Sequence, residues 1–243
     1  MAERTFDGTD PHTYEPHIGA TRQYMRDIIL GVNDGLESTL LLVSGVVGGG
    51  LDAEADLLTG IAGSVAGMVS MAIGEYLATK SQEEVFDAEL ALEAHHHEEH
   101  RDIERAQLRE MLADHGLTGD DLDTVVDIID DDDAVMLSMH KALEFGIVDE
   151  ERRSPYWAAV TSGLLFLAGA LPSVLPFLFV EDTRLGLLIA AILSGIGLFV
   201  VGAVKTLHTR KNPVLSGAEN LALGFVGGAI AFAVGSAFDS AVG

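Results

Sequence analysis

Two carboxylates, Asp34 and Glu37, stand inside an otherwise apolar stretch, GVNDGLESTLLLVSG, and a third, Glu75, lies near the end of another, GMVSMAIGEYLATKSQ. A carboxylate set among apolar helices is costly, so it normally faces a bundle interior or a water-filled path. Asp34 lies deeper than Glu75, which is also placed where lipid headgroups would meet it. Met68, Met71 and Glu75 are spaced i, i+3, i+7 and share one helix face. A soft thioether beside a carboxylate suits a borderline transition metal and suits Na⁺ or Mg²⁺ poorly. A methionine stripe alone also serves as packing.

A second group lies in QEEVFDAELALEAHHHEEHRDIERAQLREMLADH, residues 82–115, which contains neither Gly nor Pro. At about 100° per residue an unbroken helix carries Glu93, His96, His100, Glu104 and Gln107 in one narrow stripe. A further predicted helix, Asp133–Phe145, offers Met136, Met139, His140 and Glu144. Carboxylate with imidazole favours Fe²⁺, Mn²⁺ or Zn²⁺ over Ca²⁺, which prefers an all-oxygen shell. Six of the nine histidines fall between residues 82 and 153, so this stretch differs from a merely solvated acidic face. Glu93–His96 is also a Glu-x-x-His, the spacing of di-iron bundles. The residues three before His140 and His115 are Leu137 and Leu112, so a di-iron enzyme would need the second motif from another copy of the chain. A metal sensor gating a channel or partner is a third reading.

These residues need elements to hold them, and the composition is divided accordingly. The chain is 48% hydrophobic with a positive mean hydropathy, yet carries a formal charge of −24. Residues 82–153 hold 23 Asp/Glu against 6 Lys/Arg, a net of −17, so most of the acidity is confined to one internal segment. A membrane core takes roughly 20 apolar residues in helix. Five runs qualify: Ile28–Gly50, Leu57–Leu77, Tyr156–Val180, Leu185–Leu207 and Ala218–Phe238. Their many small residues let helix backbones approach closely, in a bundle or between copies. Pro172 and Pro176 break or kink the third. The predicted organisation is a polar tail over 1–23, two membrane helices over 24–81, an acidic insert over 82–153 and three membrane helices over 154–243.

Basic residues orient these spans. Arg4, Arg22 and Arg26 precede the first; Lys80, Arg101, Arg105, Arg109, Lys141, Arg152 and Arg153 belong to the insert and its junctions; Lys205, Arg210 and Lys211 follow the fourth. Only Arg184 falls on the opposite side. The N-terminus and insert are therefore expected in the cytoplasm and the C-terminus outside. Strong acidity disfavours nucleic acid as a partner, and only 4 of the 14 basic residues are Lys, a pattern that suggests a salt-adapted host. The absence of cysteine excludes disulfides and thiolate chemistry.

DIILGVNDGLESTLLLVSGV, followed by GMVSMAIGEYLATKSQEE, resembles the two signature spans of the vacuolar iron transporter family. SGLLFLAGALPSVLPFLF and GAVKTLHTRKNPVLSGAENLALGFVGGAIAFAVG resemble its last three, so the likeness covers about residues 22–240. It implies an all-α membrane protein: five transmembrane helices, a cytoplasmic helical metal-binding insert between helices 2 and 3, and a homodimer. The implied activity is export of Fe²⁺, or of Mn²⁺ and similar ions, from the cytosol in exchange for protons, with no catalytic cofactor and no covalent chemistry. A cell without vacuoles would place it in the cell membrane. By resemblance Asp34 and Met71 line the translocation path at the dimer interface, with Glu75 near its cytoplasmic mouth. The implied insert ligands are Glu93, Glu104 and Glu144. His96 and Gln107 stand where the family has glutamates, and His140, beside Met139, where a methionine is usual. Neutral Gln107 is a weaker ligand than the acid it replaces.

Overall fold

The structure is a computed structural model and describes residues 21–144, 153–206 and 211–242. Most of the polar tail, with Arg4, therefore lies outside the described residues, as do Phe145, Arg152, Arg210 and the side chains of Arg22 and His97. Among the described residues there are eight α-helices and a 3₁₀ turn: α1 (Thr21–Gly48), α2 (Ala53–Glu99), α3 (Arg101–Asp114), α4 (Gly119–Asp130), α5 (Asp133–Leu143), α6 (Pro155–Val174) with the turn Leu175–Leu178, α7 (Thr183–Val204) and α8 (Pro213–Val242). α1, α2, α6, α7 and α8 are long and apolar enough to cross a membrane. α7 and α8 start where the sequence supplies caps. Asp182 Oδ1 accepts from the backbone N–H groups of Arg184 and Leu185, each at 2.9 Å. Asn212 Oδ1 accepts from Val214 at 2.9 Å, immediately before Pro213 opens α8. The fifth span thus begins five residues before the expected Ala218, because the cap and not hydropathy sets the start.

Pro172 lies inside α6, and the α-helix gives way to the 3₁₀ turn at Leu175, with Pro176 in its first turn. Pro176 has no N–H to continue the α ladder, so the expected third span ends as a tighter turn. α2 contains 47 residues, which at 1.5 Å each is roughly 70 Å, more than twice a membrane core. The helix is therefore too long to lie wholly along the normal of one membrane core, and its second half, from Gln82 onward, is acidic.

The chain forms two compact units, one made of residues up to 71 together with 161–243 and one of 72–160. In the first, α1 packs against α6, α7 and α8. Glycine makes the closest approaches possible: a Cβ on Gly35 would lie 2.0 Å from the Phe166 carbonyl oxygen, and one on Gly235 2.0 Å from that of Gly45. Several of the glycines thus serve packing within the chain. Leu188, Ile192 and Ile196 of α7 and Val226, Ile230 and Val234 of α8 remain exposed, as lipid-facing positions require.

The second unit has a small apolar core of Leu108, Leu112, Leu122, Val126, Ile129 and Met136, contributed by α3, α4 and α5. Around it runs a ladder of charge. Arg101, Arg105 and Arg109, one turn apart on α3, pair with Asp130 and Asp133, with Asp127 and Asp130, and with Asp123. Hydrogen bonds donated to Asp133 and Asp130 hold the Arg101 guanidinium even more firmly protonated than usual. Three basic residues of this acidic segment thereby join α3 to α4 and α5.

Candidate functional site

The first site is built in the membrane-type unit. Asp34 reaches it because α1 turns its polar side, Asp34 and Ser38, toward the small-residue face of α2. A cavity of about 430 Å³ is lined by Asp34, Ser38, Thr39, Gly63, Gly67, Ser70, Met71 and Phe166, among others. Gly67 keeps it open on one side, since a Cβ there would lie 2.2 Å from the Phe166 ring. The Ser38 hydroxyl donates to the Asp34 carbonyl oxygen at 2.5 Å, leaving the Asp34 carboxylate to the cavity. Asp34 and Met71, both expected from sequence, therefore meet in one cavity. Met68, expected on the same face of α2, is not among its lining residues. Ser38 is legible as a neighbour of Asp34 by its i+4 spacing, whereas Ser70 and Phe166 carry no such signal. A carboxylate, hydroxyls and a thioether make a mixed hard and soft lining, suited to a divalent transition metal.

The second unit places Glu75 differently from an open carboxylate. Arg153 Nη1 lies 3.7 Å from Glu75 Oε1, and both side chains are largely shielded. The Arg153 backbone N–H donates to Glu83 Oε1 at 3.4 Å. Arg153 was read from sequence only as a topology marker.

The same unit gathers the expected insert ligands unevenly. α2 ends at Glu99 and α3 begins at Arg101; between them His100 leaves the helical region at φ −135° and ψ 37°. A straight stripe from Glu93 to Gln107 does not form. The break allows the apolar face of α3 to be buried, and packing overrides a local helix preference. Across it Glu93, His96 and Glu104 come together, each with a ligand atom within 4.8 Å of the others. Glu93 and Glu104 are buried and His96 is half-buried. His96 Nδ1 is 3.7 Å from Glu104 Oε1, and on the other side His140 Nε2 is 3.6 Å from Glu104 Oε2.

His140 is fully buried, with Nδ1 3.2 Å from the Met136 carbonyl oxygen and Nε2 3.2 Å from that of Glu104. Both ring nitrogens face backbone carbonyl oxygens, of which a neutral imidazole can donate to one, and the ring packs against Glu104. Met139 is half-buried against the apolar core, and Gln107 and Glu144 are exposed. Met136 lies in the core itself. Two carboxylates and one imidazole form a compact set suited to Fe²⁺, Mn²⁺ or Zn²⁺.

Five helices of membrane-spanning length define a helical membrane protein, with a carboxylate–thioether cavity in its first unit and a carboxylate–imidazole cluster in its second. The chain belongs to the VIT family, whose model matches residues 25–236. It is 31% identical to vacuolar iron transporter 1 of Tulipa gesneriana over 93% of this chain and 91% of the relative. It is 30% identical to vacuolar iron transporter 2 of Oryza sativa subsp. japonica over 95% of this chain and 93% of the relative. Vacuolar iron transporter 1 of Arabidopsis thaliana is 28% identical over 92% of this chain and 88% of the relative.

Proposed function

We propose that this chain exports Fe²⁺, and with it Mn²⁺ or similar divalent ions, from the cytosol in exchange for protons. The cavity that joins Asp34 to Met71 carries this reading, and the iron-transporting relatives support it. The insert, with the N-terminus, faces the cytoplasm, where the basic residues concentrate; the C-terminus faces outward across the cell membrane. Glu93, His96 and Glu104 bind the ion there and raise its local concentration, with His140 packed against Glu104. Gln107, Met139 and Glu144 belong to this insert and serve as secondary contacts during loading. The ion then passes Glu75 to Met71 and Asp34. Protonation of an acidic ligand weakens its hold on metal, so protons returning through Asp34 expel the ion.

Asp34 is exposed on the isolated chain although it lies in a membrane-length helix. Lipid is a poor neighbour for a carboxylate, which argues that a second protomer covers this face and that the path runs between two copies.

In proteoliposomes with an imposed pH gradient, wild-type protein should carry Fe²⁺ and Asp34→Ala should not, with Fe²⁺ binding by the insert retained. Equal flux from the two proteins would remove Asp34 from the path. The Glu93–His96 pair with Glu104 nearby favours one other reading, an iron oxidase. Catalytic oxygen consumption on adding Fe²⁺ would support that reading over transport.

A further inference from the structure

Glu37 stands one turn along α1 from Asn33 and is not among the residues lining the Asp34 cavity. It belongs to a separate polar cluster on α1, α7 and α8. Asn33 Nδ2 donates to Glu37 Oε2 at 3.4 Å, and Asn220 Nδ2 donates both to Asn33 Oδ1 at 2.6 Å and to the Leu198 carbonyl oxygen at 2.8 Å. The order of donors is fixed from one end. A backbone carbonyl can only accept, so Asn220 must turn its amide nitrogen toward Leu198. The same nitrogen then meets Asn33 through oxygen, and Asn33 is left with its nitrogen toward Glu37. The chain of amides thus ends in a donor aimed at a carboxylate, all of it half-buried.

Among the described residues no basic side chain forms part of this cluster. On the packed helices the charged groups nearest in sequence are Asp34 on α1 and Glu219 on α8, both exposed on other faces. α6 carries no titratable side chain beyond Tyr156; α7 carries Arg184 near its start, and Lys205 at its C-cap, about two turns beyond Leu198, is engaged elsewhere. A membrane carboxylate without a fixed cation, held by neutral amides and separate from the metal cavity, has a proton as its simplest exchangeable partner.

We propose that Glu37, held by Asn33 and Asn220, is a proton-binding site distinct from the metal path, so that part of the proton return never shares a ligand with the metal. The proposal rests on the metal–proton exchange described above. A divalent ion leaving carries two positive charges; one proton returned on Asp34 and one on Glu37 balance it. Each step is uptake of a proton by the carboxylate from outside and its release to the cytosol.

The test is the ratio of protons to Fe²⁺ moved, read with a trapped pH indicator and radiolabelled iron in proteoliposomes. Glu37→Gln should still exchange labelled for unlabelled Fe²⁺ without a gradient, while its proton-to-iron ratio falls to roughly half that of wild type. Glu37→Asp, which keeps a titrating group, should restore the ratio. An unchanged ratio in Glu37→Gln overturns the proposal while leaving metal–proton exchange intact. Iron flux without proton movement in wild type overturns both, and a ratio that responds to Na⁺ in place of protons assigns the site to another cation. Should Glu37→Gln fail to assemble, Asn220→Leu removes the donor that orients Asn33. It should shift the pH midpoint of flux in an otherwise active protein, and an unmoved midpoint counts against the proposal.

Discussion

Glu104 occupies the centre of the insert cluster, between His96 on one side and His140 on the other. Replacing it with Gln keeps the shape but removes the charge that a divalent ion needs. Titration of the full-length protein with Fe²⁺ or Co²⁺ should show affinity reduced at least about 10-fold, the scale on which losses around metal ligands are felt. Unaltered affinity would move the binding site elsewhere in the insert. The residue types were legible in the sequence, because Glu93, His96 and Glu104 announce transition-metal chemistry by themselves. Their grouping was less so. The stripe argument assumed an unbroken helix and would have included His100 and Gln107 equally. It is the turn at His100 that selects Glu104 and leaves Gln107 exposed. The role of His140 was hidden for a related reason, since only tertiary packing reveals that both its nitrogens meet backbone carbonyls.

At the level of helices, the membrane-type unit depends on contacts too close for any side chain. Gly35 is one such case, because a methyl group there would collide with the Phe166 backbone. Backbone atoms cannot rotate aside, so Gly35→Ala should separate α1 from α6 at a cost of about 1–3 kcal/mol or more. Thermal unfolding of the detergent-solubilised protein would show it as a lowered midpoint; an unchanged midpoint would mean that α1 and α6 are not so tightly packed. Hydropathy located all five spans, since long apolar runs leave few other readings. It could not show which glycines serve packing within the chain, nor that Asn33 and Asn220 would meet. Those residues are 187 positions apart, and nothing in either local sequence points to the other.

For the molecule as a whole, acidity and hydrophobicity occupy different stretches, which sets the membrane-length helices apart from the acidic segment in the sequence. The central claim is that the outward movement of the metal is driven by protons moving inward. It is tested most directly in vesicles whose protein orientation has been determined by protease access to the insert. With Fe²⁺ on the insert side and an acidic opposite compartment, iron should accumulate in that compartment against its own gradient. Collapsing the pH difference with an ionophore should release the accumulated iron. Accumulation that survives the collapse, or flux that only follows the iron gradient, would contradict the account.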